Sequence, residues 1–224
     1  MSDAASPIAT EVIAARIDAS MLAMKDEEFE PHTWEELRKT IATNHIEVLR
    51  RRPSDTRRYV AWIEHIKAVY GDVRKYLLQE RLRWTPLPVA NTDANGDATP
   101  AAPPALTFAC ANAEPFADPA DYLILRNDWP YGLEPGIAHV VVWLKTPLEA
   151  DMARDGDLTD DARTQVEAFV TRTFRTAVGE DPKKKGSKVL WFKNWVKLQS
   201  VRGVDHVHVL LRDAPDDKLE AWMR

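Results

Sequence analysis

The sequence is poor in the residues from which several common sites are built. A single cysteine, Cys110, excludes an internal disulfide and a cysteine-based zinc site. Only 8 residues are glycine, and neither GxGxxG nor GxxxxGK[ST] occurs, which excludes the phosphate loops built on those patterns. The GxSxG turn of hydrolases and the HExxH helix of zinc proteases are also absent. The common nucleotide, zinc and serine-hydrolase motifs therefore do not explain this chain.

Long apolar runs and a surplus of basic residues are missing as well. No hydrophobic stretch approaches the roughly 20 residues that cross a bilayer, and the opening residues lack the basic and apolar regions of a secretory signal. Thirty Lys and Arg against 35 Asp and Glu give a formal net charge of -5, which argues against a dedicated nucleic-acid binder. The expectation is a cytoplasmic protein with neither membrane nor nucleic-acid partners, in a compartment that keeps its cysteine reduced.

The hydrophobic spacing of residues 8–84 predicts helices throughout. A capping box at Thr33 opens the strongest pattern, whose apolar stripe runs on to Leu49 and ends in three arginines that suit the helix dipole. Ser54 is predicted to cap the next helix, and Gly71 to end it. These helices are expected to form a small bundle or to pack against a larger element.

The composition changes after this helical region. Residues 85–118 are rich in proline and alanine and contain few large apolar side chains, which predicts a mobile loop. From 119 to 224 apolar residues alternate, with one long helix at 160–178 and a short closing helix. The strands are predicted at 122–125, 137–145, 188–193 and 204–212. The sequence therefore predicts an α+β fold, in which the N-terminal helical segment packs on a mainly antiparallel sheet and forms one compact domain with it.

Histidines occur on two of the predicted strands. His206 and His208 lie on one strand face, about 7 Å apart at a rise of roughly 3.3 Å per residue. His139 and Trp143 share a face of the other strand by the same alternation. Each histidine can be a hydrogen-bonded core residue, or the three can line one ligand site if the strands are neighbours. Two histidines on one face favour the ligand site.

Two further clusters combine aromatic and polar residues. The loop at 127–132 presents Trp129 and Tyr131 between two strands, either as a binding loop or as a plug at the end of the core. Residues 191–197 interleave tryptophans with cations, among them Lys193 and Lys197. That mixture suits a flat anionic ligand, or an edge strand whose lysines reach solvent.

Several of these segments together resemble the fungal N-acetylglucosamine-induced protein family. They are Thr33–Leu37, Asn127–Gly132, His139–Trp143, Trp191–Asn194, Ser200–Val201 and His206–Val209. The likeness runs from about Thr33 to Arg212 and leaves 85–118 without a counterpart. It implies a small cytosolic fungal protein but no particular reaction. A non-catalytic regulatory role in the response to N-acetylglucosamine is therefore one alternative.

A more distant likeness is to the histidine-triad nucleotide hydrolases and transferases. Residues 135–142 and 199–212 look like the proline-glycine-histidine strand and the His-x-His-x-His strand of that superfamily. The resemblance implies a HIT-like sheet in which His206 attacks an α-phosphate beside His208. Val204 stands where the first histidine of the triad belongs, and the first strand has two extra residues. It therefore implies a degenerate nucleotide or sugar-nucleotide hydrolase or transferase.

The residue types also favour a flat anionic cofactor, for which haem is the first choice. Haem iron accepts histidine or tyrosine, tryptophan faces pack a macrocycle, and cations pair with propionates. The candidate iron ligands are Tyr131, His139, His206 and His208. The candidate packing and propionate partners are Trp129, Trp143, Lys193, Lys197 and Arg202. Because the first triad histidine is missing, the sequence favours haem binding over catalysis, and it assigns a catalytic role to His206 only if the chain is histidine-triad-like.

Overall fold

The computed structural model describes residues 19–88, 106–195, 198–199 and 201–223. Residues 8–18 of the predicted helical region, 89–105 of the predicted loop and the candidate Lys197 lie outside the described residues. None of the helices in the described ranges combines the length and the apolar character needed to cross a bilayer.

The N-terminal part is helical, as the sequence predicts. Its helices are α1 (Ala19–Ala23), α2 (Trp34–Ala42), α3 (Pro53–Tyr70) and α4 (Val73–Tyr76), with 3-10 turns at Asp26–Glu28 and Ile46–Val48. α4 continues directly as a π-helix over Leu77–Leu82.

Two of the predicted helix ends are confirmed by the capping geometry. Thr33 Oγ1 accepts from the N–H of Glu36 at 3.3 Å, while the N–H of Thr33 donates to Glu36 Oε2 at 2.9 Å. This reciprocal capping box opens α2. Gly71 ends α3 with a φ of 86°, and its N–H donates to the carbonyl of Lys67. Glycine adopts that left-handed conformation without the steric cost that other residues pay.

Two other predicted boundaries are wrong. α2 does not run on to Leu49, because Asn44 adopts a φ of 55° and turns the chain after Ala42. Leu49 is buried, but it follows a separate 3-10 turn, Ile46–Val48, and is not part of α2. Ser54 does not cap α3, which begins at Pro53. The N–H and hydroxyl of Ser54 both donate to Asp26, at 2.9 and 2.5 Å.

The second half of the chain forms an antiparallel sheet of four strands in the order β1-β2-β6-β5. The strands are β1 (Tyr122–Arg126), β2 (Ile137–Leu144), β5 (Val189–Phe192) and β6 (His206–Arg212). A small hairpin joins β3 (Ala150–Asp151) to β4 (Asp157–Leu158). The helices of this half are α5 (Asp160–Val170), continued as a π-helix over Thr171–Arg175, and α6 (Asp216–Trp222). The fold is α+β, as predicted.

The sheet is covered on both faces. On one face, alternate residues such as Val142 and Val209 pack against Phe169 and Phe174 of the α5 segment. Each fully buried side chain of this kind stabilises the fold by roughly 1.5–3 kcal/mol. The opposite face carries the three histidines, and the N-terminal helices pack over it. The helical region and the sheet therefore share one core.

The described end of the predicted mobile loop is packed into this structure. Phe108 is 6% exposed and Phe116 is 3% exposed. The Asp121 carboxylate accepts from the N–H groups of Ala111 and Asn112, at 2.9 and 2.8 Å. The two buried aromatic rings and the hydrogen bonds to Asp121 hold parts of residues 106–118 against the rest of the fold.

Candidate functional site

The register of β2 and β6 brings the three strand histidines to the same face of the sheet. Trp143 lies opposite His206, and Val141 lies opposite His208. His139 Nε2 and His208 Nδ1 are 3.0 Å apart, and the rings of His206 and His208 lie 5.4 Å apart. Imidazoles from two strands therefore form one cluster.

A chain of hydrogen bonds fixes the protons of two of these imidazoles. The Asn194 amide nitrogen donates to His208 Nε2 at 3.2 Å, so His208 carries its proton on Nδ1 and donates it to His139 Nε2. The Asn127 amide nitrogen lies 3.2 Å from the same His139 atom. Burial and, as a smaller effect, the charge of Arg51 together lower the pKa of His139 to about 3. His139 is therefore a neutral imidazole that holds His208 in place.

His206 is held differently. Its Nδ1 lies 2.9 Å from the carbonyl oxygen of Val204. A carbonyl only accepts, so Nδ1 carries the proton and Nε2 keeps its lone pair. Burial and the charge of Lys193 lower the pKa of His206 to about 4, against the opposing effects of the Val204 bond and Asp205. At neutral pH His206 therefore presents an unprotonated Nε2.

A cavity of about 130 Å³ lies between the histidine-bearing face and helices α3 and α4. We call it the first cavity. Its wall includes five of the residues that the sequence singled out: Trp129, Tyr131, Trp143, His206 and His208. His139 lies behind this wall, in contact with His208. Lys193 and Arg202 line a different, second cavity, so the structure does not place these two cations on the wall of the first cavity.

Arginines of the first cavity were missed by sequence reasoning. Arg50, Arg51, Arg81 and Arg126 line it, against a single carboxylate, Asp128, among the described residues. Three of them come from the helical region or its turns. From sequence, a cation in such a region is expected to face solvent or to interact with the helix dipole. The run of arginines at 50–52 is the sequence signal for a cationic site. Its position in the sequence predicts the last turn of α2, but α2 ends earlier, at Ala42.

Two of these arginines are fixed by contacts on the cavity wall. Arg51 Nε donates to the carbonyl of Trp129 at 3.0 Å, and its guanidinium lies 4.2 Å from the ring centre of Tyr59. Arg81 pairs with Asp128 at 2.9 Å. The cavity is thus lined by oriented cations beside aromatic faces.

Three buried polar atoms of the first cavity wall have no hydrogen-bond partner: Trp129 Nε1, Arg81 Nε and Asn194 Oδ1. Buried polar groups are almost always paired, so two donors and an acceptor are left for a bound molecule. In the described part of the chain, no group of three or more His, Cys, Asp or Glu side chains is placed to hold a metal ion.

Most of this chain matches a known protein family. A family described as protein of unknown function (DUF3605) matches residues 33–212. The chain belongs to the DUF3605 family. The matched range contains the three strand histidines and the four cavity arginines.

Relatives of this DUF3605 protein include two fungal proteins. N-acetylglucosamine-induced protein 1 of Candida albicans is 28% identical over 192 residues, which cover 84% of this chain and 70% of that protein. An uncharacterised protein of Saccharomyces cerevisiae is 31% identical over 186 residues, 83% of this chain and 81% of that one. The resemblance to the N-acetylglucosamine-induced family is confirmed. The crystal structure of HTC1 is also similar, with a TM-score of 0.57, 28% identity and coverage of 85% of this chain and 90% of that chain.

Proposed function

We propose that the protein binds a phosphate-bearing small molecule in the first cavity and that His206 Nε2 attacks its phosphorus. The observation that carries this proposal is the hydrogen bond from His206 Nδ1 to the Val204 carbonyl. That bond leaves a lone pair on the other ring nitrogen of a residue in the cavity wall. With a pKa of about 4, the imidazole is neutral and therefore nucleophilic at pH 7.

The charge of the cavity supports a phosphate-bearing ligand. Four arginines face a single carboxylate among the described lining residues, and guanidinium groups bind phosphate oxygens through paired, charge-assisted hydrogen bonds. The aromatic residues of α3 and of the 127–132 loop line the same space, and they suit the apolar faces of a base or a sugar. A nucleotide or a sugar nucleotide combines both features.

The proposed reaction has two displacements. First, the Nε2 lone pair forms a P–N bond, and the bond from phosphorus to the leaving group breaks with its electron pair on the leaving atom, which takes a proton from water. Water or another acceptor hydroxyl then attacks the phosphohistidine. The new P–O bond forms, the attacking oxygen releases its proton to the hydroxide left by the first step, the P–N bond breaks, and its electron pair returns to Nε2 of His206.

This function extends the resemblance to the histidine-triad enzymes. Val204 lacks the imidazole of the first triad position, which the sequence alone takes as an argument against catalysis. The contact that orients His206 uses the backbone carbonyl of Val204, and that group is present whatever the side chain is. The departure at this position therefore does not remove the orientation of the nucleophile.

Turnover of adenosine or uridine phosphoramidates tests the proposal. The wild-type protein is expected to release amine and nucleotide, and His206→Ala is expected to abolish the release. His65→Ala is the matched control, since His65 is exposed on α3 and should leave turnover unchanged. Inertness of the folded wild-type protein across these substrates, or undiminished turnover in His206→Ala, would contradict the proposed reaction.

Haem binding is a second candidate. Its support is the presence of Tyr131 and the lone pair of His206 on a cavity that also holds arginines and tryptophans, the groups that ligate iron and pair with propionates. Added hemin is expected to give a sharpened Soret band that Tyr131→Phe or His206→Ala shifts. A spectrum identical to that of free hemin would exclude this candidate and leave the phosphate-ester function untouched.

A non-catalytic role in the response to N-acetylglucosamine is the third candidate, supported by the name of the Candida relative. Under this candidate, a cell that carries only His206→Ala grows on N-acetylglucosamine like the wild type. If the strain with His206→Ala instead grows like a strain that lacks the gene, the response depends on the first cavity.

A further inference from the structure

A second cavity, of about 200 Å³, lies where β2 ends and β6 begins. None of its described lining residues lines the first cavity, although Val204 of this wall contacts His206 through its carbonyl. Its described wall includes the cations Lys145, Lys193 and Arg202, against the carboxylate of Asp205. The positive groups therefore outnumber the negative one.

The Asp205 carboxylate is already occupied. Its Oδ1 atom accepts from Lys193 Nζ at 2.9 Å, and its Oδ2 atom accepts from the N–H of Leu148 at 2.9 Å. Lys193 is 7% exposed, and its ammonium group has three protons to donate. The wall thus contains a buried cation with hydrogen-bonding capacity beyond its ion pair.

Two further polar groups of this wall have no partner. Thr146 is 2% exposed. Neither its hydroxyl nor the buried Nε of Arg202 has a hydrogen-bond partner in the described part of the chain. Leaving such groups unpaired costs stability. Both groups can donate, and both residues line the second cavity together with Lys193.

We propose that the second cavity binds a small oxyanion, a phosphate or a carboxylate group, through Lys193, Arg202 and the Thr146 hydroxyl. An oxyanion provides several acceptor oxygens and negative charge, which match three donors of which two are cationic. Lys145 lies 3.8 Å from Asp121 and Lys193 is paired with Asp205, so among the described lining residues it is Arg202 whose charge an oxyanion would neutralise.

The two cavities have different described lining residues, some of which are adjacent in sequence. Asn194, Leu198 and His206 line the first cavity, whereas Lys193, Gln199 and Asp205 line the second. A variant of Thr146 or Arg202 therefore changes the second wall without removing a lining group of the first. This separation lets binding at the second cavity be measured apart from the proposed reaction.

The test is a titration of the full chain with inorganic phosphate and, separately, with acetate, followed by backbone amide NMR. The backbone N–H signals of Lys145, Thr146, Leu148 and residues 202–205 are expected to shift with either or both anions, and comparing the two titrations distinguishes phosphate from carboxylate. Thr146→Val and Arg202→Gln should each weaken this binding about tenfold, as the loss of a charge-assisted hydrogen bond does. Lys183→Gln, which removes a cation from an exposed turn, should not.

Two comparisons make the result decisive. In Arg51→Gln the shifts at Lys145, Thr146 and Leu148 should persist, because Arg51 lines only the first cavity. Without anion, Thr146→Val should unfold no earlier than the wild type, since it removes an unpaired buried hydroxyl; a merely structural threonine would give the opposite result. The proposal is overturned if these amides do not move, or if they move equally in Thr146→Val, Arg202→Gln and Lys183→Gln.

Discussion

His206 Nδ1 donates a hydrogen bond to the carbonyl oxygen of Val204, 2.9 Å away and two residues earlier in the chain. The bond fixes the tautomer of the imidazole and leaves Nε2 unprotonated. Because the acceptor is a backbone atom, the side chain at 204 does not decide it. Under the proposed function, this bond would orient the nucleophile without any contribution from the side chain at 204.

The protonation of His206 is the first prediction. At pH 7, ¹H–¹⁵N multiple-bond NMR should show a protonated Nδ1 and an unprotonated Nε2, with a pKa of about 4. Lys193→Met should raise this pKa, because the lysine charge lowers it while Asp205 raises it. Lys183→Met, on an exposed turn, should leave it unchanged. A proton on Nε2, or a pKa near the ordinary value of a histidine, would contradict the assigned geometry.

Acid sensitivity of the fold is the second prediction. Burial lowers the pKa of His139 to about 3 and that of His206 to about 4, while both titrate near 6.5 when unfolded. Between about pH 6 and 4 the unfolded chain therefore binds more protons than the folded chain. As the pH is lowered through this range, the free energy of unfolding should fall by roughly 1.4 kcal/mol per pH unit for each histidine.

Urea unfolding from pH 7 to 4 measures this slope. His139→Gln should reduce the slope of the free energy of unfolding against pH by the amount that corresponds to about one bound proton. His65→Gln, at an exposed position, should leave the slope unchanged. An identical slope in both variants would show that His139 is not held neutral in the folded state.

The third prediction concerns the buried pair of Arg175 and Glu180, which ties the end of the α5 segment to β5. Glu180 accepts from Arg175 and from the N–H groups of Lys188 and Val189. Glu180→Ala removes one of the two carboxylates paired with Arg175, the other being Glu167, and leaves the N–H groups of Lys188 and Val189 without this acceptor, so it should lower the free energy of unfolding by about 1–3 kcal/mol. Glu35→Ala, which breaks the exposed pair with Arg38, should cost less than about 1 kcal/mol. Equal costs in chemical denaturation would disprove the distinction.

The fourth prediction concerns Arg51. Its guanidinium lies on the first cavity between Tyr59 and the carbonyl of Trp129. Arg51→Gln should lower kcat/KM for a nucleoside phosphoramidate by about tenfold or more, because a charge-assisted contact to phosphate is lost. Arg58→Gln is the matched control, because Arg58 lies on α3 outside the cavity lining. An unchanged kcat/KM in Arg51→Gln would place the phosphate elsewhere.

The alternation of the strands could be read from the sequence because it is a local property. Side chains in a strand point to opposite faces with a period of two, which places His206 with His208 and His139 with Trp143. The same rule also reaches Asn194, which the sequence groups with the tryptophans and lysines of residues 191–197 and not with the histidines. Leu190 and Phe192 pack on the histidine face, and continuing their alternation past β5 points to Asn194, which bonds His208.

What the sequence determined by itself was the α+β class, the approximate strands and the sharing of a face by histidines, since each follows from spacing along a few residues. Only the tertiary structure decided which strands are neighbours and where cations outside the strands point. The sequence grouped Lys193 and Arg202 with the histidines, but the folded chain directs them to another cavity and brings Arg51 and Arg81 instead. Placing such residues depends on contacts between segments far apart in the chain, and local periodicity carries no information about those contacts.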